Sequence, residues 1–444
     1  MSNKNDSTTT LDIRDKSGIS IKRGLLALSP LVVFCIFYLS FSILNGDFYS
    51  TPITVAFLIA TIYAIATTRG ISLDKRVEIV SKGAGQSNIM LMIWIFILAG
   101  AFASSAEAMG SIDATVNFTL QLLPSNLVMG GIFLASCFIS LSMGTSVGTI
   151  AALVPIAQGI ASQTNVPLAM MVGIVVGGAY FGDNLSFISD TTIMATKTQE
   201  CRMKDKFKVN SRIVVPAAII VLTVYVILGW DMTSETQHTD ANILLVLPYV
   251  MVLLTALLGV NVMWVLTLGL ILTAVVGVGA GQYTIFEWIK SMGDGILRMS
   301  ELIIVTLLAG GMMELVKHNG GIDFIVRRLF KNIKSQIVGE ASIGGLVFLT
   351  DLCTANNTIA ILTTGPIAKE IADKCNVDRR KCASLLDTFS CLAQSLIPYG
   401  AQMLIASGLA VMNPIEIIPY LYYPFIMGIF AIAAIVLKYP RIKD

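Results

Sequence analysis

The chain alternates between long apolar runs and short polar or charged segments. A run of about 20 apolar residues is long enough to cross the hydrocarbon core of a bilayer as an α-helix. Ten such runs predict ten membrane-spanning helices, at residues 24–45, 51–68, 88–108, 167–196, 212–230, 242–259, 262–280, 298–315, 381–408 and 416–437. The polar segment 1–23 shows no evident cleavage site, so we expect it and the first helix to be retained.

Two further apolar stretches, 126–162 and 339–374, do not fit this scheme. As straight helices they would each be about 55 Å long, against a hydrocarbon core of about 30 Å. Both are interrupted midway by small and polar residues, at 142–149 and 350–358. We therefore predict two re-entrant hairpins, each of which enters and leaves the membrane on the same side.

The distribution of Lys and Arg supports the hairpins and orients the chain, because these residues concentrate on the cytoplasmic side of membrane proteins. With both stretches as hairpins, the basic segments share one side: 1–23, 69–87, 197–212, Arg327, Arg328, Lys331, Lys334, 379–381 and the tail with Lys438, Arg441 and Lys443. The other side carries the acidic loop residues Asp47, Asp113, Asp231, Glu235 and Asp240. We expect both termini to be cytoplasmic.

The second half of the chain repeats the first. Leu98–Gly100 and Gly110–Asp113 return as Leu308–Gly310 and Gly320–Asp323, and Pro155–Val166 matches Pro366–Val377. Five spans and one hairpin in each half invert the second copy, a construction typical of membrane transporters. The predicted fold is an all-α polytopic membrane protein with inverted repeats, 24–233 and 234–444. The hairpin tips are expected to meet near the midplane, with two broken helices beside them.

Polar breaks at membrane depth are tolerated only where they are buried in protein or line a cavity. The chain has four, which are the two hairpin tips and the segments 180–192 and 393–402. Their Asn, Ser, Thr and Asp side chains are hard oxygen ligands, and intramembrane carboxylates are candidate functional groups. The candidate cation- or proton-binding residues are Asp183, Asn184, Ser186, Ser189, Asp190, Thr191, Asp351, Asp387, Gln394 and Ser395. The tip residues expected to bind an ion or substrate are Gly144, Thr145, Ser146, Thr149, Thr354, Asn356, Asn357 and Thr358.

Within this set we expect Na⁺ at Asp183, Asn184 and Asp190. Two structural alternatives stay open. Asp183 and Asp190 could instead cap broken helix ends, and Asp387 lies close enough in sequence to Arg379–Lys381 to form an ion pair there. Glu107 and Glu314 lie near span ends, where we expect plain solvation.

Composition narrows the class of protein. Hydrophobic residues make up 55% of the chain, charged residues 13%, and the mean hydropathy is +0.78, which indicates an integral membrane protein. A net charge of +2 gives no reason to expect a nucleic-acid partner. The seven cysteines have no metal-ligand spacing, and no nucleophile motif is present, so we expect no cofactor and no enzymatic activity.

The run Gly182–Thr192, preceded by Gly144–Thr149, resembles the signature of the NhaC-type sodium/proton antiporter family within the ion-transporter superfamily. The resemblance covers most of the chain, although the family pattern often has Pro where this chain has Phe187. It implies a bacterial cytoplasmic membrane and Na⁺ as the coupling ion. By analogy with the superfamily, it also implies a homodimer in which a transport domain moves against a scaffold.

Two functions follow from the resemblance. The first is exchange of Na⁺ for H⁺, which several Asp residues and the lack of Lys or Arg in the four breaks favour. The alternative is sodium-coupled transport of a small organic solute, an amino acid or a carboxylate. Backbone N–H groups of the hairpins would then hold the carboxylate of the solute, and an Asp would hold its amine.

Overall fold

The computed structural model describes residues 21–45, 52–187, 189–233, 243–322, 324 and 335–440, which are predominantly helical. The helices of the first part are α1 (Ile21–Asn45), α2 (Ile53–Thr67), α3 (Leu73–Ala84), α4 (Ser87–Ala108), α5 (Ser111–Leu122), α6 (Ser125–Met143), α7 (Ser146–Ser162), α8 (Leu168–Leu185), α9 (Asp190–Gln199) and α10 (Met203–Leu228). Those of the second part are α11 (Ile243–Leu257), α12 (Val262–Gly279), α13 (Ile285–Arg298), α14 (Ser300–His318), α15 (Gln336–Thr354), α16 (Asn357–Cys375), α17 (Arg379–Leu396), α18 (Ala401–Ala410), α19 (Pro414–Ile417) and α20 (Tyr422–Val436).

The protein is an all-helical, multi-pass membrane protein. Among the described residues, seven helical segments are long and apolar enough to cross a membrane, or eight if the bent segment from Arg379 to Tyr420 is counted. Three of the ten predicted spans are shorter than the hydropathy pattern suggests. Helices α2, α11 and α20 have 15 residues each, which is about 22 Å at 1.5 Å per residue.

The first hairpin consists of α6 and α7. Helix α6 ends at Gly144, whose φ of 68° is left-handed and therefore favours glycine, and Thr145 caps the start of α7. Both outer ends of the hairpin lie beside the end of α10. Asn126 packs against Gly229, and the backbone N–H of Asn165 donates to the carbonyl of Thr233 at 3.3 Å.

The second hairpin consists of α15 and α16. Its turn residue, Ala355, has a φ of 47°, and Asn356 caps the start of α16. Ala355 lies 211 positions after Gly144, so the two hairpins turn at matching places in the sequence. The outer ends of the hairpin lie together, because a Cβ atom on Gly339 would be 2.6 Å from the Cβ of Cys375.

The two hairpins open toward opposite faces of the protein. The second hairpin opens where α9 ends and α10 begins, since Lys369 Nζ of α16 lies 2.7 Å from Glu200 Oε1. This hydrogen bond also lowers the pKa of the exposed Glu200 carboxyl. The first hairpin opens at the other end of α10. We call the side where α10 begins the basic face, because it carries Lys197, Arg202, Lys204, Lys208, Lys369, Lys374, Arg379 and Arg380.

Helix α4 also runs from the basic face to the opposite face. Its end continues into α5, whose residues Ile112 and Val116 pack against Gly159 near the end of α7. That end of α7 belongs to the open end of the first hairpin. Helix α4 therefore begins at the basic face, and the end of α14 lies there as well, because Glu314 near that end bonds Gln86 at the start of α4.

The broken helices occupy the centre of the protein. In the segment Leu168–Gln199, which contains α8 and α9, 89% of the span is buried, against 33% for the segments that contain α10 and α12. Helices α10 and α12 therefore lie at the periphery. Helix α8 ends at Leu185 before the polar break, and α17 ends at Leu396 before a similar break that leads into α18.

Several predicted features lie outside the described residues. They are residues 1–20 of the N-terminal segment, the acidic residues Asp47, Glu235 and Asp240, and the basic residues Arg327, Arg328, Lys331, Lys334, Arg441 and Lys443. The division into repeats 24–233 and 234–444 stays a prediction from the sequence.

Small residues allow α8 to approach α6 at backbone distance. A Cβ atom added to Gly178 would lie 2.7 Å from the carbonyl oxygen of Phe133, and one added to Gly182 would lie 2.5 Å from the backbone nitrogen of Leu141. Backbone atoms cannot move aside as a flexible side chain can. Gly182 is therefore required to hold the first hairpin close to the break that follows α8.

Gly182→Ala is expected to destabilise the protein by about 1–3 kcal/mol, because the added methyl group overlaps the α6 backbone. The measurement is the thermal unfolding midpoint of the purified protein in detergent. Gly293→Ala in α13 is the matched control, since a Cβ atom there meets nothing within 4 Å. An equal midpoint for the two variants would contradict the close approach of α8 to α6.

Candidate functional site

The two hairpin tips face a common cavity of about 110 Å³. Its wall combines the tips with the break after α8, the first half of α4 and the start of α18. The residues that line it are Leu91, Met92, Ile95, Gly144, Thr145, Ser146, Val147, Asp183, Asp190, Thr191, Asn356, Asn357, Thr358 and Gln402. The convergence of the tips expected from the sequence is thus present, together with two of the predicted carboxylates.

A chain of hydrogen bonds joins the two tips. Ser146 Oγ donates to Asp183 Oδ2 at 2.8 Å, and Gln402 Nε2 donates to Ser146 Oγ at 3.0 Å. On the other side, Gln394 Nε2 donates to Gln402 Oε1 at 3.0 Å and to the Ala355 carbonyl at 3.1 Å. Gln394 and Gln402 of the second broken helix therefore link the tip of the first hairpin to the tip of the second.

Asp183 and Asp190 lie at different ends of the first break. Asp183 is in the last turn of α8 and is 5% exposed, while Asp190 is the first residue of α9 and is exposed. The side chain that caps α9 is Ser189, which accepts from the backbone N–H of Thr192 at 3.2 Å and bonds Thr191. Asp183 bonds the Ser146 hydroxyl across the cavity wall. Among the described residues of this break, the helix caps are Ser186 and Ser189 and neither carboxylate.

A buried ion pair lies behind this cavity. Lys206 Nζ contacts Asp387 Oδ2, and the two side chains are 1% and 0% exposed. The same ammonium donates to the Asn184 carbonyl at 2.7 Å and to Thr192 Oγ1 at 2.9 Å, and Thr192 Oγ1 donates to Asp387 at 3.1 Å. The alternative of an ion-paired Asp387 is therefore present, but the partner is Lys206 and not Arg379–Lys381, of which Lys381 pairs with Glu340 at 2.7 Å.

Asn184 is engaged in the same region, away from the cavity. Its side-chain oxygen and its backbone carbonyl both accept from Asn210 Nδ2, and Asn210 Oδ1 in turn accepts from Ser384 at 2.8 Å and Thr388 at 3.0 Å. The oxygens of Asn184 are therefore occupied by N–H donors. The structure does not bring Asn184 to the wall of the cavity with Asp183 and Asp190.

Asp351 is also absent from the cavity wall. It is fully buried in α15, and neither of its carboxylate oxygens has a hydrogen-bond partner among the described residues. Its assignment as a proton-binding residue stays a prediction.

The hydroxyl groups of four other predicted residues donate hydrogen bonds to backbone carbonyls. Ser186 donates to the Leu141 carbonyl, Ser395 to Leu392, Thr149 to Thr145 and Thr354 to Asn356. These bonds stabilise the breaks and turns. The helix breaks are thus where the sequence predicts them, but only part of each polar run faces the cavity.

Three residues of the site are missing from the sequence prediction. Gln402 lies at the start of α18, and Lys206 and Asn210 lie on α10, which begins inside the predicted loop 197–212. The sequence does contain a pattern that could have identified Lys206 and Asn210. Lys206, Asn210, Ile213, Val214 and Ala217 recur at helical spacing and are all buried, so the buried face of α10 begins within the charged segment.

Comparison with known proteins gives a family match over almost the whole chain. Residues 2–230 and 239–439 match the Na⁺/H⁺ antiporter family. The chain is 22% identical to the malate-2H(+)/Na(+)-lactate antiporter of Bacillus subtilis, over 89% of this chain and 91% of that protein. It is 27% identical to the Na(+)/H(+) antiporter NhaC of the same organism, over 78% and 83%.

Among solved structures, the chain is similar to the YdaH transporter of Alcanivorax borkumensis, with a TM-score of 0.38 and 13% identity. The match covers 78% of this chain and 85% of that one.

Removal of either member of the buried pair leaves the other charge without its partner. Lys206→Gln or Asp387→Asn is therefore expected to destabilise the protein by about 3–5 kcal/mol. The double variant is expected to lose less than the sum of the two, because no uncompensated charge remains. Thermal unfolding midpoints in detergent measure these effects, with the exposed Lys208→Gln on the same helix as control. Additive losses would contradict a direct pair.

Proposed function

The chain belongs to the Na⁺/H⁺ antiporter family, and on that premise we propose that it binds Na⁺ and H⁺ in turn at the cavity between the hairpin tips. The exchange takes place across a bacterial cytoplasmic membrane. Na⁺ is the transported ion and not a resident cofactor, and the predicted homodimer belongs to the same proposal.

The observation that carries the proposal is the charge of the cavity wall. Asp183 and Asp190 both line it, and none of its described lining residues is Lys, Arg or His. Lys206 does not change this balance, because its ammonium is paired with Asp387. A cavity with two carboxylates and uncharged oxygen donors attracts a cation.

The helix ends around the cavity agree with this charge. Helices α7 and α9 begin at the cavity, and the N-terminus of a helix carries a partial positive charge. Each of these N-termini has a carboxylate beside it, Asp183 at Ser146 and Asp190 in the first turn of α9. The positive helix ends are thus already balanced by the chain's own side chains, which disfavours an anionic substrate there.

Exchange follows from competition for the same oxygens. The Asp183 carboxylate can hold a proton or contribute to a Na⁺ site, and occupation by one weakens binding of the other. We propose Asp183 and Asp190 as the charged Na⁺ ligands, with Thr145, Ser146 and Thr191 as neighbouring oxygen donors. Asn184 is not included, because its oxygens accept hydrogen bonds from Lys206 and Asn210.

We propose further that the basic face is cytoplasmic and that both termini lie on that side. The support is the concentration of Lys and Arg at the start of α10, the end of α16 and the start of α17. The opposite face carries exposed Asp113 and Asp231.

The exchange is tested in proteoliposomes that contain a pH dye. An imposed Na⁺ gradient is expected to move protons with no other solute present. Asp183→Asn removes the competing carboxylate and is expected to reduce proton movement to that of empty liposomes. Asp113→Asn, exposed on the opposite face, is the matched control and is expected to retain activity. The half-saturating Na⁺ concentration of the unmodified protein should rise as pH falls, by about tenfold per unit where protons occupy the site.

A different outcome would favour a carboxylate solute. The N-terminus of α16 also reaches the cavity, and the Asn357 Nδ2 atom there is buried without a hydrogen-bond partner among the described residues. This donor, with Asn356, Thr145 and Ser146, could hold a carboxylate group. Proton movement that requires an added amino acid or hydroxy acid would contradict simple Na⁺/H⁺ exchange.

Orientation is tested by single cysteines on a background without the native ones. Lys204→Cys at the basic face is expected to react with a membrane-impermeant thiol reagent from the cytoplasmic side only. Asp113→Cys is expected to react from the other side only. Asp113 follows the end of α4, whereas Lys204 lies at the start of α10, and α4 and α10 begin at the same face. Labelling of both cysteines from one side would therefore contradict this arrangement of the two helices.

A further inference from the structure

A second cavity, of about 70 Å³, lies between α14, the start of α4 and the second hairpin. At one end it is lined by Gln86, Glu314 and Lys317, which lie where α4 begins and α14 ends. At the other end it is lined by Ala355 and Asn356 of the hairpin tip. The cavity therefore extends from the basic face to the tip.

This cavity adjoins the cavity that holds Asp183. Met92 and Asn356 line both of them, so one side chain of α4 and one residue of the hairpin tip stand between the two spaces. At the opposite face, the cavity lined by Pro167, Met412 and Glu416 shares no lining residue with the Asp183 cavity. Of these two cavities, only the one that reaches the basic face adjoins the Asp183 cavity.

One side of α14 lines the second cavity along its length. Thr306, Gly310, Met313, Glu314 and Lys317 recur at spacings of three and four residues and all line it. Glu314 accepts from Gln86 Nε2 at 2.9 Å, and Lys317 Nζ lies 3.9 Å from its carboxylate. Further in, the Thr306 hydroxyl is buried and has no hydrogen-bond partner among the described residues. Glu314 therefore lines the mouth of this cavity, with the Thr306 hydroxyl about two turns further in on the same side of α14, where the sequence suggests only a solvated residue.

We propose that this second cavity is the passage by which a monovalent cation moves between the basic face and the Asp183 cavity, with Glu314 as its first binding group. The Thr306 hydroxyl is the next oxygen along the passage. The identity of the cation as Na⁺ rests on the proposed function; the passage itself does not.

The charges that line this cavity favour weak binding of a cation, which allows the ion to pass through. Glu314 supplies a negative charge at the mouth of the cavity on a predominantly basic face, and such a charge raises the local concentration of cations. The nearby Lys317 ammonium offsets part of that attraction, so a cation binds weakly enough to leave again. A passage whose remaining wall is largely apolar presents few other ligands that would hold the ion.

The hairpin tip is the barrier at the inner end of the passage. Gln394 holds the Ala355 carbonyl, and the Tyr399 hydroxyl donates to the Leu352 carbonyl at 2.8 Å. These bonds fix the tip from the side of the second broken helix. A cation that passes Asn356 requires the tip or the Met92 side chain to move, which places the gate between α4 and the second hairpin.

Thiol accessibility tests the passage directly. On a background without native cysteines, Met313→Cys is expected to react with a positively charged thiosulfonate reagent from the basic face and not from the other side. Ile304→Cys is the matched control, because it lies on the same helix with 48% of its side chain exposed on the outer surface. We expect the Ile304→Cys thiol to be unreactive, because it faces the hydrocarbon of the bilayer, which a charged reagent does not enter. Ala309→Cys is a second probe if Met313→Cys does not fold.

Kinetics test the role of Glu314. Glu314→Gln is expected to raise the half-saturating Na⁺ concentration about tenfold with kcat unchanged, since it removes attraction at the mouth and not a ligand of the inner cavity. Glu301→Gln, exposed at the other end of α14, is the control and is expected to change neither value.

The outcomes separate this inference from the proposed function. Labelling of the Met313→Cys and Ala309→Cys variants needs no ion gradient, so it reports on the passage even if Na⁺/H⁺ exchange is not observed. Failure of both variants to react, or equal reaction from the two faces, would overturn the passage. An unchanged Na⁺ dependence in Glu314→Gln would overturn the role of Glu314.

Discussion

The centre of the structure depends on the ion pair and hydrogen bonds of the buried Lys206 ammonium. It reaches Asp387 on α17, the Asn184 carbonyl at the end of α8 and the Thr192 hydroxyl at the start of α9. A charge removed from water costs several kcal/mol unless it is paired and hydrogen-bonded. The break between α8 and α9 is therefore held in one geometry against the second half of the chain. Any rearrangement of this break that separates the two charges carries that cost.

This pairing also divides the polar residues of the core into those held by hydrogen bonds and ion pairs and those that line the cavity. Asp387 is neutralised by Lys206, and Asn184 is occupied by Asn210 and Lys206. The carboxylates that remain at the cavity are Asp183 and Asp190. An ion that enters the cavity thus meets two acidic side chains that have no basic partner on its wall, and this is the condition that a site shared by Na⁺ and H⁺ requires.

The two hairpins connect the site to both faces of the protein. Each tip turns at a left-handed residue, Gly144 or Ala355, and the chain Ser146, Gln402, Gln394 joins the tips by hydrogen bonds. Neutral hydrogen bonds contribute about 1 kcal/mol each, far less than a broken buried ion pair. The contacts between the tips are therefore the weaker part of the core, and the Lys206–Asp387 pair is the stronger part. Movement at the tips is the less costly way to open the site to one face or the other.

Much of the fold follows from the sequence alone, because apolar length and helix-breaking residues act locally. The hairpins, the polar breaks at 180–192 and 393–402, and the common face of the basic segments near 197–212 and 379–381 are all readable there. The direction of each polar side chain is decided only by the tertiary structure. Asp183 and Asn184 are adjacent in sequence, yet one lines the cavity and the other faces Asn210. Lys206 lies in a charged run that reads as a loop, and its burial requires Asp387 from the other half of the chain. A pattern of hydropathy fixes where a helix breaks, whereas the partner that neutralises a buried charge is set by packing between distant segments.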